Sequence, residues 1–165
     1  MKKIVALLIF SVSLSGCVSP QPYQSQAERP KQTVKRPSFP VDEYLALPKK
    51  GTGVVKGELF GVTRGGDVKI GAGAEIITRP YTSYLKNTPS YDYNTQALEP
   101  FDKRMLAYDR KTRTDAQGKF EFDNLPPGKY TIFGMFSWMA GSMPQFVMLS
   151  KTVDVNNDET VQVQP

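Results

Sequence analysis

Residues 114–132 read TDAQGKFEFDNLPPGKYTI and set out two strands and two tight turns. Asp115-Ala-Gln-Gly118 suits a type I turn, with Asp at the first position and Gly at the fourth. The following GKFEF puts Phe120 and Phe122 on one face of a strand, because successive side chains alternate across it. Pro126-Pro127-Gly128 fixes φ and then supplies a residue free to take positive φ, which reverses the chain. Beyond it, KYTIFGMF places Tyr130, Ile132 and Phe136 together on one face. The Tyr130 hydroxyl is positioned to tie down the Pro-Pro-Gly turn as a tyrosine corner does.

The same grammar extends outward. GVVKGELFG (Gly53–Gly61) is β-branched and reads as a strand. AEIITR (Ala74–Arg79) reads as another, after a flexible RGGDVKIGAG. TVDV and TVQVQ alternate with Val153, Val155, Val161 and Val163 inward, and NNDE between them is turn chemistry. Short strands at close spacing, each with one apolar face, predict an all-β fold, a single antiparallel β-sandwich over residues 41–165. One connection breaks the rhythm. Residues 80–108 form a long insertion rich in tyrosine, with Tyr81, Tyr84, Tyr91, Tyr93 and Tyr108. Its PFDKRMLAY stretch predicts one short helix with Pro100 in the first turn and Phe101, Met105 and Tyr108 on one side. A connection this long in a compact sandwich is usually functional or mobile.

The amino terminus carries an address. MKK, the apolar run from Ile4 to Phe10, and LSGC have the layout of a secretory signal, too short for a membrane span. Leu14-Ser15-Gly16-Cys17 resembles a bacterial lipoprotein lipobox. The resemblance implies cleavage after Gly16, a signal peptide over residues 1–16, and acylation of Cys17. Several acyl chains then hold the protein to membrane lipid, since each buried CH₂ contributes roughly 0.8 kcal/mol. Val18 follows where Asp would signal inner-membrane retention. The expectation is therefore the periplasmic face of an outer membrane, or the plasma membrane of a Gram-positive host. Residues 17–40 hold five prolines and little to bury, a composition that predicts a disordered or polyproline-like tether.

The pI of 9.3 invites a nucleic-acid reading, but residues 41–165 carry 15 basic and 15 acidic side chains. The excess sits in the signal and the tether, so no basic folded face points to nucleic acid.

TRTDAQGKFEFDNLPPGKYTI resembles the signature of carboxypeptidase regulatory-like domains, the prealbumin- or transthyretin-like sandwich. The matching positions are Thr114, Asp115, Gly118, Phe120, Phe122, Asn124, Leu125, Pro126, Pro127, Gly128 and Tyr130. The resemblance implies an Ig-like sandwich of about seven strands that accompanies, rather than performs, catalysis.

The chain has no histidine and one cysteine, which excludes Ser-His-Asp and Cys-His nucleophiles and the common zinc sites. Asp109, Asp115, Glu121 and Asp123 are the carboxylates open to a paired hydrolase mechanism, but the last three fall on turns and outward strand positions. No cofactor and no metal site is expected. Phe133–Leu149 concentrates Met135, Met139, Met143 and Met148 around Phe136, Trp138 and Phe146. Thioethers are soft ligands for Cu(I), and equally they fill gaps in cores. Ser137–Met143 is expected to form a loop, either an adhesive patch through Trp138, Met139 and Met143 or a cap over the core. Those residues and Tyr81, Tyr84, Tyr91 and Tyr93 are the candidate contacts. The primary expectation is a non-catalytic, lipid-anchored module binding another envelope protein. Its alternative is binding of peptidoglycan or another cell-wall glycan by the same aromatics, because a ring offers an apolar face with a polar handle.

Overall fold

A computed structural model describes residues 30–165; the signal, Cys17 and most of the expected tether lie outside the described residues. The fold is the expected β-sandwich. One sheet runs β10-β9-β5-β7, built from Met143–Val155, Gly128–Ala140, Glu75–Pro80 and Arg110–Arg113. The other runs β11-β2-β8, from Thr160–Val163, Gly53–Glu58 and Lys119–Leu125, beside a β3–β4 hairpin, Phe60–Val62 with Val68–Ile70. Val55, Leu59, Ile76, Phe120, Phe122, Ile132, Leu149 and Val155 fill the space between the sheets. Burial of these side chains stabilises the fold by roughly 1.5–3 kcal/mol each.

The motif's turns behave as their chemistry requires. Gly118 donates to the Asp115 carbonyl at 3.0 Å, and the Asp115 carboxylate accepts from the amides of Gln117 and Lys119. The Thr114 hydroxyl donates to the Gly71 carbonyl and accepts from the Ala74 amide, stitching the strand start to β5. Asn124 takes φ of 51°, and the β2–β8 register slips there by a bulge between Gly53 and Val55.

Four expectations are corrected. The strand expected over Gly53–Gly61 breaks at Leu59 into β2 and β3, and part of RGGDVKIGAG is β4 rather than flexible connection. The last strand runs parallel to β2, because the Asn156–Glu159 turn carries it from one sheet into the other. The expected loop over Ser137–Met143 is the end of a hairpin whose strands, β9 and β10, are 13 residues each. Gly141 at φ of 64° opens its two-residue turn, the pattern of a II′ connection.

The fourth correction concerns the tether, whose last ten residues are structured. Gln32–Val34 (β1) pairs in parallel with Gln96–Leu98 (β6) of the insertion, and Val41–Leu45 forms a short helix, α1. The insertion itself carries two short helices, α2 (Ser83–Lys86) and α3 (Lys103–Leu106). The second starts after Pro100 and Phe101, with Asp102 capping it by accepting from the Arg104 amide. Tyr44, Tyr84 and Met105 form a second buried cluster, with Phe39, Leu47, Leu85 and Tyr108 packed on it. Phe39 stacks on Tyr44 at 4.5 Å between centroids, and the Arg36 guanidinium lies 3.7 Å over the Phe101 ring. The insertion is thus ordered by the segment that precedes the sandwich.

Candidate functional site

The end of the sandwich that carries the Pro-Pro-Gly turn meets the insertion across a cleft of about 360 Å³. Strand β5 ends at Pro80, opposite Tyr130, and the Tyr81 amide donates to the Lys129 carbonyl at 2.8 Å. That pairing sets Tyr81 on the cleft floor beside Pro126 and Pro127. Tyr108, held edge-to-face 4.8 Å from the buried Tyr44, supplies a second aromatic wall, and Leu47, Pro48 and Lys49 close it from the chain after α1. Lys49, Arg110, Lys129 and Glu43 bring charge to the cleft. A concave apolar site with a few polar groups is the usual form of a small-ligand pocket.

Hydrogen bonds fix the walls. The Tyr130 hydroxyl donates to the Pro126 carbonyl at 2.9 Å, the expected tyrosine-corner bond. Thr82 donates to the Tyr44 hydroxyl at 3.0 Å, joining α1 to the insertion. The Glu43 carboxylate accepts from the Ser83 amide at 2.9 Å and from its hydroxyl. Burial raises the pKa of both Tyr44 and Tyr130, so these phenols stay neutral and act as hydrogen-bonding groups rather than charges.

Past Tyr81 the cleft opens into a shallower groove of about 560 Å³, which shares Glu43, Tyr81, Thr82 and Lys129 with it and adds Ser83, Lys86 and Thr152. The two together make a continuous trough, with Tyr81 lining both parts.

Of the candidate contacts named from the sequence, only Tyr81 lies in this trough. Tyr84 is buried, with its hydroxyl accepting from the Asp102 amide. Tyr91 and Tyr93 are exposed elsewhere on the insertion. Trp138 is not on a loop: it stacks on Phe136 and covers Gly61, where a Cβ would meet its ring at 3.4 Å. Met139 and Met143 are exposed at the hairpin tip. Trp138 lies nine positions beyond Lys129 on β9, roughly 30 Å along the strand, so Trp138 and Tyr81 cannot serve one small site.

The methionine-rich run has its own arrangement. Met135 and Met148 pair across β9 and β10, and with Phe133, Met139 and Phe146 they leave the outer face of the hairpin apolar and exposed. These methionines fill no core. Among the described residues, no three His, Cys, Asp or Glu side chains gather as a metal site. Asp109 pairs through Oδ2 with Arg79 at 2.8 Å and is nearly inaccessible to solvent, while its buried Oδ1 has no hydrogen-bond partner among the described residues. The cleft residues missed in the sequence, Tyr44, Lys49, Tyr108, Arg110 and Lys129, come from separate segments. The one local signal for them was Lys129 beside the Pro-Pro-Gly turn and Tyr130.

Fold and site together define a β-sandwich module with an aromatic, cation-rimmed trough at one end. No protein-family model matches the chain, and no curated protein matches it in sequence. Among solved structures it is similar to a Pseudomonas aeruginosa protein provisionally described as carbohydrate binding. The two are 28% identical, with a TM-score of 0.64, over 79% of this chain and 99% of that one. It is also similar to the major pilin subunit of Bacillus cereus, 15% identical with a TM-score of 0.41, over 70% of this chain and 29% of that one.

Proposed function

We propose that this protein is a non-catalytic carbohydrate-binding module of the bacterial cell envelope, held to membrane lipid through acylated Cys17. The observation that carries the reading is the trough: tyrosine and proline faces for sugar rings, with hydrogen-bonding groups at its edge. The likeness to a protein described as carbohydrate binding supports it. Glu43 is the one carboxylate lining the trough, and a glycoside hydrolase of the usual kind uses two. Thr114, the Asp115 turn and the Tyr130–Pro126 bond support the carboxypeptidase regulatory-like assignment of the domain. The Leu14–Cys17 sequence and Val18 support delivery to the periplasmic face of an outer membrane in a Gram-negative host. Incorporation of a labelled fatty acid, lost in Cys17→Ser, checks the anchor.

The binding test is co-sedimentation of the detergent-solubilised full chain with purified sacculi and with a panel of insoluble neutral and acidic polysaccharides. Retention by at least one polymer, with Tyr81→Ala weakening it about tenfold or roughly 1.4 kcal/mol, is the expected result. Failure to bind any of the polymers would end the reading.

The apolar outer face of β9 and β10 favours a second reading, a protein partner in the envelope, since monomers seldom expose such a patch without using it. A photoreactive residue at Phe146 or Met148 should then give a discrete protein adduct in living cells. A lipid adduct alone would remove this reading.

A further inference from the structure

Charge is unevenly distributed along the trough, four cations to one carboxylate, and the imbalance bears on which glycan it takes. The one carboxylate at the trough, Glu43, is engaged by the amide and hydroxyl of Ser83, where it caps α2. The charged groups left facing the trough are donors. Lys49 and Arg110 stand at the deep end, Lys86 at the shallow end, and Lys129 reaches both. An ammonium or guanidinium donates and cannot accept.

We infer that the ligand is an acidic glycan chain, laid along the trough with one ring over Tyr81 and its carboxylates against Lys49, Arg110, Lys129 and Lys86. This rests on the carbohydrate-binding reading and names the ligand class within it. Arg110 and Lys129 have partners outside the trough, Asp123 at 3.8 Å and Asp154 at 2.6 Å. Both pairs are solvent-exposed, and pairs of that kind are weak, so a ligand carboxylate can replace either partner. Lys49 and Lys86 make no salt bridge among the described residues. Cations spaced along a trough, rather than gathered at one point, fit a polymer that carries a carboxylate on each of several units.

The test uses the full chain in detergent with alginate, polygalacturonate and purified sacculi, each beside its carboxyl-reduced form. The expected result is binding to at least one acidic polymer and a loss of about tenfold or more on carboxyl reduction. Binding should also weaken as salt rises, because exposed charge interactions are screened. The double variant Lys49→Gln with Lys86→Gln should lose about tenfold for the acidic polymer through its missing charges. Lys151→Gln, an exposed cation outside the trough, should change nothing. Equal binding to acidic and reduced polymers, or an equal loss in Lys151→Gln, overturns the inference and leaves the carbohydrate reading standing. If the panel of neutral and acidic polysaccharides yields no binding at all, the carbohydrate reading fails, and this inference fails with it.

Discussion

The Tyr130 hydroxyl donates to the Pro126 carbonyl four residues earlier, at 2.9 Å, closing a ring around Pro126-Pro127-Gly128. The bond holds together the strand that enters the sandwich core and the turn that forms one side of the trough. Tyr130 is itself nearly buried, with Ile132 next along the same face. Packing at the sheet therefore sets the position of the trough wall.

Tyr130→Phe removes only that hydroxyl. The ring still fills its place, so the cost is that of one hydrogen bond, about 1 kcal/mol. Urea unfolding should show the loss at unchanged m-value. Glycan affinity should fall as well, because the freed turn no longer holds Pro126 and Pro127 in register with Tyr81. A variant as stable as the parent would show that the bond contributes nothing.

Gly118 and Gly66 separate two effects that a glycine usually combines. Both have positive φ, 79° and 91°. A Cβ at Gly66 meets nothing within 4 Å, whereas one at Gly118 lies 2.7 Å from the Leu59 carbonyl oxygen. The Gly118 carbonyl also accepts from the Leu59 amide at 2.8 Å, so the two backbones cannot part without losing a bond. Gly66→Ala should cost about 1 kcal/mol for the backbone conformation alone. Gly118→Ala should cost about 2 kcal/mol more, since the displaced backbone forfeits its hydrogen bond as well. Thermal or urea unfolding of the two variants checks the difference, and equal costs would contradict the close approach.

What the sequence made legible was local. Asp115, Gly118 and the Pro-Pro-Gly turn act through neighbours a few residues away, so their geometry follows from residue type. The β9–β10 hairpin was partly obscured because both of its faces are apolar: Phe136 and Trp138 point inward while Met135 and Met139 point outward. Period two is then hidden, and Gly141 beside Pro144 looks like the start of a loop rather than a hairpin turn. Residues 31–47 were harder still. Their order comes from Arg36 on Glu99, Thr88 and Phe101, and from Phe39 on Tyr84, contacts across tens of residues. Proline-rich composition gave no hint of them. The trough shares this difficulty, since Lys49, Tyr81, Arg110 and Lys129 meet only when three connections converge.

Asp109 and Asp102 should respond to acid in opposite senses. Burial raises the Asp109 pKa, and the attraction of Arg79 does not fully offset it. The folded state then holds that proton more readily than the unfolded chain, so stability from this group is full below the ordinary carboxylate range and is lost as pH rises through the raised value. Hydrogen bonds from the Arg104 side chain and amide lower Asp102 from 3.8 to about 2. Its contribution is present above 3.8 and lost as pH falls toward about 2. Urea unfolding at stepped pH checks both. The stability advantage of the parent over Asp109→Asn should widen as pH drops through the raised value, and its advantage over Asp102→Asn should narrow between 3.8 and about 2. Parallel trends for the two variants would contradict the opposite shifts.

Arg36 tests whether the segment before the sandwich holds the insertion in place. Its amide donates to the Glu99 carboxylate, its Nε to the Glu99 carbonyl at 2.7 Å, and its Nη1 to Thr88 at 3.2 Å, while the guanidinium plane covers Phe101. Arg36→Ala keeps the amide bond and removes the other three contacts, so β1 should loosen from β6 and the segment from the short helices of the insertion. The sandwich core lies outside this network, and its strands should be untouched. Hydrogen exchange should therefore quicken roughly tenfold or more, a local loss of at least about 1.4 kcal/mol, at Gln96–Leu98 and Ser83–Asn87. Protection at Phe122 and Ile132 should hold. Because residues 43–49 form one wall of the trough and follow directly on this segment, glycan affinity should drop in the same variant with no change at any contacting side chain. Faster exchange spread evenly through the core would mean instead that insertion and sandwich unfold as one unit.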